Sequence, residues 1–120
     1  VTSTARRKGA AAEREIANQL ADLTGWRVRR RLQEGRADDC GDLEGLPGVC
    51  AQVKNYTDPA RALREALAEL PTQRDLAGAR WGVAFIRRPG GRYVAAMTVE
   101  DFVSLLREAT ATLVELDGTA

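Results

Sequence analysis

Residues 48–56 read GVCAQVKNY, an apolar run that ends in one of only two lysines in the chain. Strict alternation places Val49, Ala51 and Val53 on one face of a strand and Cys50, Gln52 and Lys54 on the other. Gln52 and Lys54 therefore point the same way. Just upstream, LPG at 46–48 is a turn signal, and the acidic, glycine-rich stretch before it predicts a loop leading into a short strand over about Asp42–Leu46. An antiparallel hairpin across that turn brings Asp42 near Gln52 and Lys54.

Working outward from the hairpin, apolar positions Ile16, Leu20 and Leu23 predict a first helix from about Ala5 to Thr24, stopped by Gly25. Glu13 lies on the same stripe, so a carboxylate faces inward. WRVRR at 26–30 alternates Trp26 and Val28 against Arg27 and Arg29, the pattern of a half-buried strand. After the hairpin, Asp58 as N-cap and Pro59 at the first helical position open a second helix, with Leu63, Leu67 and Leu70 inward and Pro71 as its end. One more helical turn is expected over TQRDLAGA. The strands WGVAFIR and RYVAAMT flank a turn at RPGG, and Thr98 caps a last helix over VEDFVSLLREA with Phe102, Leu105 and Leu106 inward. The tail beyond Thr110 extends that helix or forms a short strand. Trp81, Val83, Phe85, Tyr93 and Val94 are assigned to the core, and Arg87 and Arg88 to a plain turn.

At 120 residues, 44% hydrophobic and 29% charged, the chain fits a single domain over 1–120 of the ordinary globular class. No signal peptide and no membrane span is expected, which predicts a cytoplasmic protein without membrane partners. The net charge of +1 does not by itself announce a nucleic-acid ligand, so local clusters must carry that reading. Positive charge gathers at ARRK (5–8) and VRRR (28–31), negative charge at Asp38, Asp39, Asp42 and Glu44. With no histidine and only Cys40 and Cys50, a tetrahedral zinc site is not expected, nor is a structural disulfide in a reducing compartment.

Glu13, Asp42, Gln52 and Lys54 thus converge. Carboxylates brought together call for a cation, and Lys54 supplies one charge. Oxygen ligands from Asp42, Gln52 and Glu13, with the Val53 carbonyl, suit Mg²⁺, for which Mn²⁺ can substitute. A hard divalent cation beside an ammonium group is equipped to hydrolyse a phosphodiester, with the lysine orienting or deprotonating the attacking water. Arginine cannot serve as a base, which gives a reason for lysine at position 54 in an arginine-rich chain. Taken singly, each residue has a plainer role. Glu13 can pair with Arg7, Lys8 or a strand arginine, Lys54 can snorkel over apolar surface, and Asp42 can be a turn aspartate.

Together, RKGAAAERE, then Gly41 and Asp42, then Gln52 to Lys54, resemble the PD-(D/E)XK nuclease superfamily and, within it, the archaeal-type Holliday junction resolvases. The resemblance covers Arg7 to Tyr56. It implies an α/β restriction-endonuclease-like fold, a central mixed sheet flanked by helices in the order αβββαββα, with Glu13, Asp42, Gln52 and Lys54 as catalytic residues. It further implies Mg²⁺-dependent cleavage of four-way junctions to give 5′-phosphates, by a homodimer. Arg6, Arg7 and Lys8, with Arg29, Arg30 and Arg31, would then grip DNA phosphates without reading sequence. Three departures stand out. Gln52 replaces the usual glutamate, as in some restriction nucleases of the superfamily; Gly41 replaces proline; and Arg31 falls where resolvases often carry serine. Two rivals follow: a restriction-type or flap-directed nuclease, and a non-catalytic DNA-binding protein that kept the fold.

Overall fold

The computed structural model describes residues 3–32 and 41–117. Three helices and a five-stranded mixed sheet follow in the order α1 (Ser3–Thr24), β1 (Arg29–Arg30), β2 (Leu43–Glu44), β3 (Val49–Lys54), α2 (Pro59–Ala77), β4 (Trp81–Arg88), β5 (Arg92–Ala96) and α3 (Val99–Asp117). The expected order αβββαββα is the order observed. The strands lie side by side in sequence order; β3 and β4 are parallel, and every other neighbouring pair is antiparallel. A parallel pair needs a crossover, and α2 supplies it.

The two faces of β3 divide the core in two. Ala51 and Val53 pack with Ile16, Ala17, Val28, Leu43, Val83 and Phe85 under α1. On the opposite face, Ala62, Ala66 and Leu70 of α2 pack on Ala84 and Ile86. This inward stripe of α2 is not the leucine stripe expected from the sequence. Leu63 and Leu67 are exposed, because Ala62 and Ala66 are small enough to let the helix lie close on the sheet, and larger side chains at those points would hold it away. The Asp58 cap is as expected, with its carboxylate accepting from the Ala60 and Arg61 N–H groups.

Pro71 does not end α2, which continues to Ala77 and closes on Gly78 in the left-handed conformation. Pro71 and Leu67 both face solvent, so the Leu67 carbonyl deprived of its helical donor can bond water instead. Three further expectations are corrected. The β1 strand is only Arg29–Arg30, with Val28 buried but Trp26 half-exposed. Val94 faces solvent from β5 rather than the core. Finally, α3 runs through the tail to Asp117, and Phe102, Leu105 and Leu106 are exposed. Polar contacts dock α3 on the body instead: Asp101 accepts from the Gly82 N–H (2.8 Å) and from Arg74 (2.9 Å), the Trp81 indole donates to Ser104 (3.0 Å), and Arg80 pairs with Glu108 (2.9 Å).

No helix among the described residues is long and apolar enough to cross a membrane.

Candidate functional site

Strands β2 and β3 pair at Leu43 and Ala51, and the Asp42 N–H continues the ladder to the Ala51 carbonyl at 2.7 Å. There the ladder changes character. The Val53 N–H is taken by the Asp42 side chain, Oδ2 at 2.8 Å, so a carboxylate stands where a strand carbonyl would otherwise accept. Gly41 makes this possible. Its φ of +100° cannot be reached by proline, and an added Cβ there would lie 2.9 Å from the Ala51 carbonyl oxygen. Glycine at position 41 is thus a backbone requirement of this chain.

Ala51 and Val53 turn their backbone groups toward β2, so the Val53 carbonyl shares the edge on which Asp42 sits. Gln52 and Lys54 project to the α2 side. Gln52 is 3% exposed; its Nε2 donates to Glu69 Oε2 at 2.7 Å, while its Oε1 is buried without a hydrogen-bond partner. Lys54 lies 3.4 Å from Glu69 Oε1 and 3.4 Å from the Tyr56 hydroxyl, and its ammonium stands over the Tyr56 ring. Tyr56 in turn donates to Glu65, which also pairs with Arg61. Burial is the largest influence on Lys54 and pulls its pKa down, but Glu69 and Tyr56 together outweigh it and hold the pKa above the ordinary lysine value. Lys54 is therefore a stable ammonium at neutral pH. Tyr56 is held above the usual phenol range, first by its bond to Glu65 and then by burial.

Of the sequence-predicted residues, Asp42, Gln52 and Lys54 gather around the end of β3. Among the described residues Glu13 makes no hydrogen bond or ion pair with them; its Oε1 accepts from Arg30 Nε at 2.8 Å, the partly buried pair that is its plainer reading. Arg29 is likewise paired, with Glu44 at 2.9 Å. The Arg31 N–H donates to the Asp42 carbonyl at 2.8 Å, and its guanidinium Nε is buried without a partner. Arg7 and Lys8 are exposed on α1, and the Arg6 side chain lies outside the described residues, as do Asp38, Asp39 and Cys40. Cys50 is a buried free thiol.

Glu69 is the residue sequence reasoning missed. Its signal was the spacing Glu65, Glu69 beside Ala62, Ala66, Leu70, which sets both carboxylates along the border of the buried stripe, but that stripe was misassigned. Beyond Tyr56 the surface opens into a cleft of about 260 Å³ lined by Lys8, Asn55, Tyr56, Thr57, Arg87 and Arg88 among others. Arg87 belongs to β4 rather than to a turn, and its Nε donates to Glu15 at 2.8 Å.

Among the described residues no three histidine, cysteine or acidic side chains cluster as a metal site. The oxygen donors carried at this strand end are the Asp42 carboxylate, bonded to the Val53 N–H, the unpartnered Gln52 Oε1 and the Val53 carbonyl. Such a set suits Mg²⁺, which takes hard oxygen ligands and retains waters. Glu13, engaged with Arg30, is not part of it. No known protein family, curated protein or solved structure matches this chain.

Proposed function

We propose that this protein is a Mg²⁺-dependent, structure-selective DNA endonuclease acting on branched DNA, with four-way junctions as the foremost substrate. The observation that carries the reading is the grouping at one strand end of Asp42, the unpartnered Oε1 of Gln52 and the ammonium of Lys54. A buried amide oxygen without a donor is costly unless something electropositive completes it, and a hard cation does so.

Asp42, Gln52 and the Val53 carbonyl would hold the ion, which when bound would polarise the scissile phosphate and make its water more acidic. Lys54, with its raised pKa, acts as a fixed positive charge that orients the phosphate and stabilises negative charge growing on it, rather than as the base that takes a proton. Glu69 is a positioning residue: it fixes the Gln52 amide so that Oε1 turns away from α2, and it holds Lys54 in place. The cleft beyond Tyr56, with exposed Lys8 and Arg88, suits the backbone of the strand leaving the site. Among the residues expected to grip DNA, Arg29 and Arg30 are neutralised by Glu44 and Glu13, which shifts the weight of that role to Lys8, exposed on α1 beside the cleft.

The second reading, a DNA-binding protein without catalysis, is favoured by one observation: the metal set contains a single carboxylate. End-labelled four-way junction, splayed arm, flap and linear duplex, incubated with Mg²⁺ or EDTA, separate the two. Paired Mg²⁺-dependent nicks on the junction are expected. Cutting of flaps or duplex as well would move the assignment to a general or restriction-like nuclease, and junction binding with no metal-dependent cutting would overturn the catalytic reading.

A further inference from the structure

The cleft beyond Tyr56 is walled by three separate segments: the start of α1 with Lys8, the link from β3 to α2 with Asn55 and Pro59, and the end of β4 with Arg88 and the following Pro89. Its charge has no counterpart nearby. Lys8 and Arg88 are exposed and, among the described residues, their side chains form no ion pair, whereas Arg87 beside them is held by Glu15. No described lining residue is acidic, and Asp58 in the same link commits its carboxylate to capping α2. A concavity lined by charge of one sign concentrates ligands of the other.

We infer that this cleft is a subsite for one unpaired nucleotide of a DNA strand, so that the protein grips single-stranded DNA beside its site of cleavage. The inference deepens the nuclease reading, on which its choice of DNA rests, by naming the form of the strand. Size is the first ground. At about 260 Å³ the cleft falls near the lower end of small-molecule pockets, about 300–1,000 Å³, whereas the major groove of a duplex alone is about 12 Å wide. A nucleotide fits inside, and a double helix can only lie across the rim. Lining is the second ground. A duplex turns sugar and phosphate outward and makes no use of apolar walls, but Pro59 and Pro89 stand exposed beside the two cations, which suits a free base on the prolines with its phosphate at Lys8 and Arg88. Asn55 adds an amide able to bond a Watson–Crick edge, which only an unpaired base exposes. The Tyr56 ring already lies under Lys54 and Arg61, so it is a firm wall rather than a stacking platform. Its hydroxyl is 3.4 Å from Lys54 Nζ, which makes Tyr56 the partition between cleft and site and places the held nucleotide close to the reacting phosphate.

Binding is read without cleavage. Fluorescence anisotropy of labelled oligothymidine and of a blunt duplex of the same length, in EDTA at one salt concentration, is expected to show the single strand bound at least about tenfold more tightly. The double variant K8A/R88A is expected to remove that preference, while R64A/R107A, which takes two exposed arginines from elsewhere, keeps it. Equal affinity for duplex, a preference that survives in K8A/R88A, or an equal loss in R64A/R107A would overturn the inference. A second measurement needs no variant. Photo-crosslinking of a thiothymidine-substituted oligonucleotide to the full chain, followed by tryptic digestion, is expected to label the peptide of residues 55–61, and label confined to other peptides would sink the proposal. Because no metal is present, these outcomes stand apart from the nuclease reading. A protein that cuts junctions but binds oligothymidine no better than duplex loses only the subsite, and one that binds oligothymidine through the cleft but cuts nothing loses only the catalysis.

Discussion

Gln52 Nε2 lies 2.7 Å from Glu69 Oε2, and through that bond α2 governs the orientation of an amide on β3. The same carboxylate supports the charge on Lys54. Replacing Glu69 by Gln removes an attraction that opposes burial, so the Lys54 pKa falls from its raised value and the ammonium is lost at lower pH. The alkaline limb of the cleavage rate against pH, measured with Mg²⁺, is expected to move to lower pH in Glu69→Gln. A limb that stays in place would show that Lys54 is not the group that sets it.

Lys54 itself is tested by two substitutions. Lys54→Ala is expected to slow junction cleavage by roughly 10²-fold or more while leaving junction binding near the wild-type level, the signature of a charge used on the reacting phosphate. Lys54→Arg retains the charge, but its broad planar fork does not suit the space between Tyr56 and Glu69, so only partial recovery is expected. Single-turnover rates and mobility-shift titrations read the two effects separately.

The buried Asp101 carboxylate holds α3 to the sheet by accepting from the Gly82 N–H. Asp101→Ala leaves that N–H without an acceptor and is expected to lower stability by about 1–3 kcal/mol. Asp101→Asn keeps an acceptor and should lose less. Urea unfolding monitored by Trp fluorescence checks both, with an unchanged slope showing that the same surface is exposed.

Acid sensitivity should trace in part to Glu15, whose carboxylate accepts from Arg87 at 2.8 Å and from the Tyr93 hydroxyl at 2.7 Å. The Arg87 bond first, and Tyr93 second, hold its pKa below the ordinary glutamate value. Because the folded pKa is depressed, the stabilisation is present above pH 4.5 and is lost as pH falls through the folded value. Glu15→Gln should therefore be less stable than wild type at neutral pH, and the gap should narrow progressively below pH 4.5. Urea midpoints measured across that range decide it.

Gly45 closes the β2 end against β1, with φ of +101° and the Arg27 carbonyl so near that any Cβ would collide with its oxygen. Backbone cannot swing aside as a side chain can. Gly45→Ala is expected to cost well over about 1 kcal/mol and to detach β1 from β2, read as faster amide exchange at Arg29 and Arg30.

The hairpin and the Asp42, Gln52, Lys54 grouping were legible in the sequence because alternation in a strand fixes which side chains share a face. So were the Asp58 cap and the Gly25 stop, which depend on local backbone chemistry alone. Helix faces were less so. On α2 the eye follows Leu63 and Leu67, whereas the sheet selects the alanines that allow close approach. On α3 the amphipathic stripe was found correctly and its direction inverted, since periodicity says that a helix has two sides but not which one meets the rest of the chain. Glu13 fell on a stripe that does point inward, but Arg30, two residues past Val28, reached it first. Glu69 depends on a contact 17 residues away in sequence, across the crossover, and no short pattern announces that.

The parallel pairing of β3 with β4 sets an order of events in folding. These strands cannot meet until the chain between them has been laid down as α2, so their register, from Val49 opposite Trp81 to Lys54 opposite Ile86, is fixed only when that helix docks. Docking also delivers Glu69 to Gln52 and Lys54. The contacts that close the crossover and those that arm the site thus form in one step, so a nascent chain stalled before that step would carry neither a finished sheet nor a correctly held lysine.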